Sequence, residues 1–218
     1  MAKINIAIDG PSGVGKSTIA DIVADKLKYV HLDTGAMYRC VAYYVLKNEI
    51  DYSNEEVLEK ALSDLKISFQ NDHVYLNGED VTKEIRTNDI SMMASKTSAV
   101  PMVRQKLVDL QKEIAKSKGY ILDGRDICTV VLPDAEVKIF MNADAKARAQ
   151  RRYDEYINKG IDADYETIYQ DIIARDYQDS HRKISPLKKA DDAIEIDTSH
   201  LTIDEVVDAV LNIINKEI

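Results

Sequence analysis

The sequence predicts an α/β fold: a doubly wound parallel sheet with a small antiparallel β-containing insertion and a short helical lid. At both ends of the chain, short apolar runs alternate with stretches whose apolar residues repeat at helical spacing. Strands that alternate with helices form βαβ units, which build a mostly parallel sheet covered by helices on both faces. In the middle, three closely spaced strand-like runs interrupt this alternation.

The N-terminal part follows the order strand, helix, strand, helix. Residues 3–8 form a short apolar run, and residues 17–27 place their apolar side chains at helical spacing. A second strand is predicted over 29–32 and a second helix over 37–47. This order is the one expected of a first βαβ unit.

The C-terminal part returns to the same alternation. A long helix with one apolar face follows Pro101 and ends at Gly119. The remaining predicted elements are strands over 120–123, 137–142 and 193–197 and a closing helix over 203–215. The strands over 120–123 and 137–142 are predicted to be buried, as strands of a parallel sheet are.

The middle segment LKISFQNDHVYLNGEDV (65–81) predicts a small antiparallel meander. Its strand-like runs are separated by QND and by Asn77-Gly78, and Asn-Gly is a strong signal for a two-residue hairpin. A doubly wound sheet does not need such hairpins. We therefore predict an inserted subdomain over 58–96, within a core formed by 1–57 and 97–218.

The composition is that of a soluble globular protein. Of 218 residues, 45% are hydrophobic and 31% are charged, which suits one large domain or one domain with an insertion. A net charge of −9 argues against nucleic acid and anionic membranes as partners. Nothing in the sequence demands more than a monomer.

Cysteine and histidine positions bear on compartment and metal. Two cysteines, Cys40 and Cys128, are too few for a disulfide framework, and we predict free thiols in a reducing cytosol. The N-terminal apolar run is too short for a signal peptide, and no stretch resembles a membrane span. The histidines lack ligand spacing, so no structural metal is expected. These observations predict a cytoplasmic protein.

The first predicted strand runs into GPSGVGKS (10–17), and a helix follows. This stretch matches the phosphate-loop pattern G-x-x-x-x-G-K-[ST] in the strand–loop–helix context that its mechanism requires. Backbone N–H groups and the helix dipole bind phosphates, Lys16 can reach the β- and γ-phosphates, and Ser17 can bind Mg²⁺. We therefore predict a nucleoside triphosphate site. Its residues are Gly10, Pro11, Ser12, Gly13, Val14, Gly15, Lys16, Ser17 and Thr18.

Charged or polar clusters follow two further predicted strands. They are Asp33, Thr34, Tyr38 and Arg39 in DTGAMYR, and Asp123, Arg125 and Asp126 in DGRD. In open α/β sheets, ligands bind outside the carboxyl ends of the strands. One charged strand end alone is usually a solvated turn. Two of them beside a phosphate loop indicate a ligand site.

The stretch ARDYQDSHR (174–182) continues an apolar helical stripe with charged residues. Ile168 and Ile172 begin the stripe, and the next helical steps reach Arg175, Asp179 and Arg182. The alternative interpretation is a ladder of ion pairs on the surface. We favour a line of charges that faces a ligand, because a surface ladder would require the helix to turn away from its own stripe.

An arginine-rich helix over 144–159, ended by Gly160, predicts a lid over 144–163. Arg148, Arg151 and Arg152 are spaced by three and four residues and therefore share one helix face. A solvated basic face is the alternative interpretation. In an acidic protein with a triphosphate site, these arginines together with the other charged clusters indicate an anionic acceptor, such as a nucleoside monophosphate.

A phosphate acceptor would remove the need for a general base in the protein. A phosphate group has its second pKa near ~6 and is already ionised at neutral pH. The protein then needs to position the acceptor and neutralise charge rather than provide a general base.

Over essentially its whole length, the sequence resembles the bacterial cytidylate kinases. The motifs that carry the resemblance are IDGPSGVGKST, LDTGAMYR, EIRT (84–87), SAVPMVR (98–104), LDGRDICTVVLPDA and ARDYQDSHR. The meander over 58–96 resembles the insertion of the acceptor-binding region in that family. The resemblance implies a P-loop nucleoside monophosphate kinase that transfers the γ-phosphoryl of MgATP to CMP or dCMP, giving ADP and CDP or dCDP.

The resemblance also implies a role for individual residues. Acceptor phosphate contacts are expected from Thr34, Arg39, Arg125 and Arg182, ribose contacts from Arg175 and Asp179, and base contacts from Ser95, Arg104 and Asp126. Tyr38 belongs to the same acceptor set. The catalytic set is Lys16, Arg125, Arg148, Arg151, Arg152 and Arg182, without a choice among the lid arginines. Ser17 and Asp123 are the metal candidates, and ATP with Mg²⁺ is the implied co-substrate.

The chemistry of cytosine agrees with the expected base contacts. Its N4 amino group is a donor that a carboxylate such as Asp126 accepts, whereas uracil has an acceptor at that position. An unpaired buried polar group costs about 1–3 kcal/mol. We therefore expect preference for cytosine over uracil.

Four alternatives to this function stay open at this point. The first is a P-loop kinase that acts on a coenzyme precursor, and the DGRD and ARDYQDSHR clusters argue against it. A GTP-binding switch should carry N-K-x-D, but in NKGID (158–162) the aspartate comes one residue late. A regulatory ATPase or a purely structural interaction domain would leave the acceptor clusters or the intact phosphate loop unexplained.

Overall fold

A computed structural model describes residues 3–70 and 73–217. Within them the strands are β1 (Ile6–Asp9), β2 (Val30–Asp33), β3 (Ile67–Gln70), β4 (His73–Leu76), β5 (Glu79–Asp80), β6 (Tyr120–Gly124), β7 (Val137–Asn142) and β8 (Ile194–Asp197). The α-helices are α1 (Lys16–Leu27), α2 (Thr34–Lys47), α3 (Glu55–Ser63), α4 (Asn88–Thr97), α5 (Pro101–Ala115), α6 (Ala145–Asn158), α7 (Tyr165–His181) and α8 (Ile203–Glu217). A 3₁₀ turn covers Glu84–Arg86 and a π-helical turn covers Ile127–Val131.

Five strands form one sheet in the order β2-β6-β1-β7-β8. β1 pairs in parallel with β6 and β7, and β7 pairs in parallel with β8. All four residues of β1 are buried, because helices cover both faces of the sheet. The predicted doubly wound α/β fold is confirmed, together with the strands and helices that the apolar patterns predicted.

The chain divides into two compact units. The first contains Met1–Leu32 and Ile114–Ile218, and the second contains Asp33–Glu113. The core of the first unit lies where the central strands pack against α1 and α8, with Ile6, Ile8, Ile139 and Val210 fully buried. Within the second unit α2 packs against α4.

A three-stranded antiparallel sheet, in the order β3-β4-β5, belongs to the second unit. Leu76 pairs with Glu79 across the two-residue turn Asn77-Gly78. Both turn residues have positive φ, 51° and 85°, as a hairpin of this type requires. The Asn-Gly prediction is confirmed. The turn predicted at QND falls partly on residues 71 and 72, outside the described residues. The bounds of the insertion and of the lid stay predictions.

Helix α2 begins three residues before its predicted start. The Asp33 side chain accepts a hydrogen bond from the Ala36 backbone N–H at 2.8 Å and caps the helix. The apolar pattern marked only the part of the helix that follows this cap.

Helices α6 and α7 pack against each other in the first unit. Ala149, Ile168 and Ile172 form a buried cluster surrounded by tyrosines. This confirms that Ile168 and Ile172 begin a buried stripe. Among the described residues, no helix combines the length and apolar character needed to cross a bilayer.

Candidate functional site

The phosphate loop joins β1 to α1, as predicted. A Cβ at Gly10 would lie 2.0 Å from the carbonyl oxygen of Met141, so only glycine fits where the chain leaves the sheet. Lys16 is buried, and its Nζ donates to the carbonyl oxygens of Gly10 and Pro11, both at 2.8 Å. The loop therefore wraps around the lysine ammonium group.

Burial, and after it the neighbouring Arg125 guanidinium, lower the pKa of Lys16 to about 7, although nearby carboxylates oppose the shift. A buried cation of this kind favours an anionic ligand, because negative charge restores the stabilisation that water would supply. The loop is therefore suited to bind phosphate.

A hydroxyl and a carboxylate meet at the start of α1. Ser17 Oγ donates to Asp123 Oδ2 at 2.9 Å. Their strands explain the contact: Ile8 of β1 pairs with Asp123 of β6, so both chain segments reach the same edge of the sheet. Hard oxygen ligands are those that Mg²⁺ prefers. Among the described residues, no group of three or more His, Cys, Asp or Glu side chains could hold a metal ion by itself.

His31, on β2, contacts the second oxygen of this carboxylate. Its Nε2 lies 2.8 Å from Asp123 Oδ1, and its Nδ1 lies 2.5 Å from Asp21 Oδ1. Burial would lower the pKa of His31, but the hydrogen bonds to Asp123 and Asp21 outweigh burial and raise it to about 10. No role was predicted for His31, because no spacing in the sequence could have paired it with residues 10 and 92 positions away.

The DGRD segment and α7 come together in the first unit. Arg125 Nε donates to Asp179 Oδ2 at 2.8 Å, and Arg182 Nη2 lies 3.7 Å from Asp126 Oδ1. Asp126 and Asp179 are both buried. The arginines expected at the acceptor phosphate therefore pair here with the carboxylates expected at the ribose and the base.

Asp179 lies on the face of α7 that continues the Ile168 and Ile172 stripe. Burial raises its pKa, but Arg125 foremost, then Arg175 and Arg182, more than offset burial and hold the pKa below the ordinary value. The stripe thus leads from an apolar cluster to buried Asp179, which pairs with Arg125. That the charges in ARDYQDSHR face a ligand stays a prediction.

Asp9, which sequence analysis left unassigned, supports the turn after DGRD. Its carboxylate accepts the backbone N–H groups of Ile127 and Cys128, both at 2.8 Å. Burial raises its pKa to about 6, although these two hydrogen bonds oppose the shift. An aspartate at the end of an apolar strand was the available signal, but its partners lie more than 100 residues away.

The three arginines of α6 have different surroundings. Arg148 is buried; it donates to both carboxylate oxygens of Asp176 and to the carbonyl oxygens of Ala143 and Ser12. Its contact with Ser12, at 3.0 Å, ties the helix to the phosphate loop.

The other two arginines differ from Arg148 in their partners. Arg151 donates to the carbonyl oxygens of Thr198 and Ser199, in the loop after β8. Arg152 contacts Tyr156 of its own helix, with Nε 3.0 Å from the phenolic oxygen.

The second unit carries its own group of predicted residues around Asp33. Arg39 Nη2 donates to Asp33 at 2.8 Å, and Arg86 Nη2 lies 3.1 Å from the same carboxylate oxygen. The buried Arg39 Nε has no hydrogen-bond partner among the described residues. Arg86 belongs to the EIRT motif, for which the resemblance implied no individual role.

Helices α4 and α5 place the remaining predicted residues of the second unit. Thr34 and Ser95 are buried. Arg104 is buried too, with its guanidinium carbon 5.6 Å from the centre of the Tyr38 ring. Arg104 Nη1 also donates to the carbonyl oxygen of Ser98 at 3.4 Å. Polar groups held in buried positions of this kind are candidates for ligand recognition.

A family model described as cytidylate kinase matches residues 6–216. The chain belongs to this family. It is 53% identical to a cytidylate kinase of Ligilactobacillus salivarius over 218 residues, covering 98% of this chain and 97% of that protein. It is 48% identical to a cytidylate kinase of Bacillus cereus over 217 residues, covering 98% and 96%.

Two solved structures share the fold at low sequence identity. A shikimate kinase from Bacteroides thetaiotaomicron is 13% identical, with a TM-score of 0.51 over 98% of this chain and 99% of that one. An uncharacterized protein from Eubacterium ventriosum is 14% identical, with a TM-score of 0.54 over 99% of both chains. This likeness concerns the fold alone.

Proposed function

We propose that this chain is an ATP-dependent kinase that transfers the γ-phosphoryl of MgATP to CMP or dCMP, giving ADP and CDP or dCDP. The observation that carries the proposal is the phosphate loop closed around buried Lys16, beside the Ser17–Asp123 pair. Membership of the family described as cytidylate kinase supports CMP as the acceptor.

On the donor side, the loop residues from Gly10 to Thr18 bind the triphosphate. Backbone N–H groups and the N-terminus of α1 face the phosphates, and Lys16 neutralises charge on the β- and γ-phosphates. Ser17 and Asp123 would hold Mg²⁺, directly or through water, because their oxygens are 2.9 Å apart and suit a hard cation. The ion, when bound, neutralises charge that develops on the phosphoryl oxygens.

On the acceptor side, the first unit supplies Arg125 and Arg182 for the phosphate and Arg175 and Asp179 for the ribose. A guanidinium group has five N–H donors, so Arg125 can keep its Nε bond to Asp179 and still donate to a phosphate. The ion pair would then set the orientation of the phosphate-binding donors.

The second unit supplies Thr34 and Arg39 for the acceptor phosphate. Arg39 keeps a buried Nε donor without a partner among the described residues, and Asp33 holds its Nη2. A phosphate oxygen would satisfy this donor.

Base recognition is proposed for Ser95, Arg104 and Asp126, with Tyr38 packed against the Arg104 guanidinium. The Asp126 carboxylate would accept a hydrogen bond from the N4 amino group of cytosine. It disfavours uracil, because O4 is itself an acceptor. The preference therefore comes from a carboxylate that is already buried.

Among the α6 arginines, we propose Arg152 for the transferred phosphoryl group. Arg148 and Arg151 are each committed to backbone carbonyl oxygens of other elements, whereas Arg152 contacts a tyrosine of its own helix. Because Arg148 and Arg151 tie α6 to the phosphate loop and to the loop after β8, Arg152 would reach the substrate by exchanging its contact with Tyr156 rather than by movement of the whole helix. Closure of the predicted lid would exclude water. Arg148 would instead maintain the phosphate loop.

No general base is assigned. The phosphate of CMP is ionised at neutral pH, with a second pKa of about 6, so it can attack without losing a proton to the protein. Catalysis then consists of in-line positioning and charge neutralisation.

The experiment that tests the proposal measures ADP formation from MgATP with CMP, dCMP, UMP, AMP, GMP or no acceptor. Turnover with CMP and dCMP, weaker turnover with UMP and none without acceptor are expected. Turnover that is independent of any acceptor would overturn the proposal and favour a regulatory ATPase. Binding of GTP without transfer would favour a switch.

A further inference from the structure

His31 lies at the centre of a line of four polar side chains, which we call the His31 cluster: Asp21, His31, Asp123 and Ser17. The His31 and Asp123 side chains are 10% and 5% exposed, whereas Asp21 is 64% exposed. The line therefore runs from the surface of α1, through a buried imidazole, to the carboxylate proposed to act on Mg²⁺. All four residues belong to the first unit.

A single hydrogen bond does not fix the plane of a carboxylate. The terminal torsion of an aspartate is broad and roughly two-fold, so each contact to the Asp123 carboxylate narrows the orientations that its oxygens can take. His31 Nε2 occupies Oδ1 at 2.8 Å and leaves Oδ2 on the side of Ser17 Oγ. The two contacts act on different oxygens and therefore both restrict the orientation of the carboxylate.

The imidazole is itself held in place from the other side. Asp21 Oδ1 lies 2.5 Å from His31 Nδ1, and both ring nitrogens therefore face carboxylate oxygens. This arrangement fixes the ring orientation, as outer carboxylates do for histidines around metal sites. The fixed ring in turn fixes Asp123.

We propose that His31 is a positioning residue that keeps the Asp123 carboxylate directed at Ser17 and at the Mg²⁺ ion of the bound nucleotide. This inference rests on the proposed function, because it assigns His31 to the metal pair of that same site. It predicts that His31 contributes to the coupling between Mg²⁺ and nucleotide, and not to nucleotide binding as such.

Charge neutralisation by His31 would change Mg²⁺ binding in the opposite direction. If His31 acted only by neutralising Asp123, removing it would increase the negative charge near the ion and strengthen Mg²⁺ binding. If His31 acted only by packing, its removal would lower stability and leave the coupling unchanged. The sign and size of the coupling therefore separate positioning from both alternatives.

The test compares ADP affinity by calorimetry in excess MgCl₂ and in EDTA; the ratio of the two affinities is the Mg²⁺-linked gain. His31→Leu removes both N–H donors of the imidazole. We expect the gain to fall about tenfold, which is the lower end of the loss in metal affinity when a residue that holds a metal ligand is removed. Affinity in EDTA should stay within about twofold, because the phosphate loop is unchanged.

Two further variants keep the test decisive if His31→Leu does not fold. His31→Gln retains one N–H donor, and we expect it to recover most of the gain. Asp21→Ala truncates an exposed side chain and releases the ring at Nδ1, so a smaller loss of the gain, about threefold, is expected. The matched control is His73→Leu, which removes a histidine–aspartate pair of the second unit that is largely exposed.

An unchanged gain in His31→Leu with a lower melting temperature, or an increased gain, would overturn the inference. If the protein without substitutions shows no Mg²⁺-linked gain, the Ser17–Asp123 assignment fails and the inference fails with it. If the gain depends on His31 but CMP is not phosphorylated, the proposed function fails and the inference stands. If CMP is phosphorylated but the gain is unchanged in His31→Leu, the proposed function stands and the inference fails.

Discussion

Two histidine–aspartate pairs of nearly equal length occupy opposite environments in this protein. His31 lies 2.8 Å from Asp123 beside the phosphate loop, and His73 lies 2.7 Å from Asp80 on the antiparallel sheet. The first pair is 10% and 5% exposed, and the second is 53% and 44% exposed. The same chemistry is therefore buried among the charges of the candidate site in one unit and solvated in the other.

The difference concerns what burial costs. An exposed ion pair adds little to stability, because water and salt screen it. A buried charge loses its hydration and must be compensated by partners. The phosphate-loop edge of the first unit holds several such charges, including Lys16, Asp123, Asp126, Arg148 and Asp179. Their cost is consistent with a site that binds and orients an anion.

The largest expected effect comes from the charge at the centre of the phosphate loop. Lys16→Met should lower phosphoryl transfer at least about 10³-fold, because no other group replaces its contact with the β- and γ-phosphates. Steady-state ADP formation and circular dichroism would check activity and fold. Lys47→Met, which breaks the exposed pair with Glu79, is the matched control and should leave transfer unchanged. Similar losses in both variants would contradict the comparison.

A second change separates the arginines of α6. Arg152→Met should lower kcat about 10²-fold and leave the melting temperature unchanged, because its contacts lie within its own helix. Arg148→Met should cost about 1–3 kcal/mol of unfolding free energy, because Asp176, whose side chain is 27% exposed, loses its ion-pair partner but stays partly hydrated. Urea unfolding and steady-state kinetics together check both variants. A kcat loss in Arg148→Met alone, without destabilisation, would reverse the assignment.

Selectivity between pyrimidines should change at a buried carboxylate. Asp126→Asn should reduce the CMP-to-UMP ratio of kcat/KM about tenfold or more, because an amide can donate to the O4 of uracil. The ratio cancels any shared loss caused by the Arg182 contact. Asp134→Asn, at an exposed aspartate nearby in sequence, is the control. An unchanged ratio in Asp126→Asn would remove the base-reading role.

A smaller effect should appear in the dependence of stability on pH. The pKa of Asp179 is lower in the folded protein than the ordinary value, so the folded state binds fewer protons there than the unfolded state. Its contribution is therefore present above pH ~4 and is lost as the pH falls through the folded pKa. Asp179→Asn should destabilise the protein at pH 7, and the difference from the unsubstituted protein should shrink in acid. Urea unfolding at pH 7 and at about pH 3.5 measures this.

The smallest effect is expected on the antiparallel sheet. His73→Gln removes a solvated contact with Asp80 and should not change the melting temperature measurably, in contrast to the same substitution at His31. Parallel thermal melts of the two variants provide the measurement. Equal destabilisation by both would mean that burial does not distinguish the pairs.

Most of the fold could be predicted from local patterns, because the features that define it depend on residues close together in the sequence. The alternation of apolar strands and amphipathic helices, the phosphate loop between β1 and α1, and the Asn77-Gly78 hairpin depend on neighbours within a few residues. The helical spacing in α7 likewise predicted that charges extend the stripe of Ile168 and Ile172. Start points were less certain, as α2 shows, because a cap at Asp33 is a side-chain event outside the apolar pattern.

Candidate residues were identified by motif, but their partners were not. Arg125 and Asp179 were assigned to different parts of the acceptor, and the structure pairs them at 2.8 Å. Arg148 was grouped with Arg151 and Arg152, and burial against Ser12 and Asp176 distinguishes it. Helical spacing places residues on one face, yet it does not determine what that face meets.

By itself, then, the sequence determined the strands and helices of the parallel core and the loop between β1 and α1 that carries the predicted phosphate site, because backbone geometry and periodic burial are encoded between near neighbours. Tertiary structure alone decided that His31 meets Asp21 and Asp123, and that Asp9 holds the turn at Ile127 and Cys128. Apart from His31–Asp21, these contacts join residues more than 90 positions apart, and they form only where parallel strands and their flanking helices bring distant segments to one edge of the sheet.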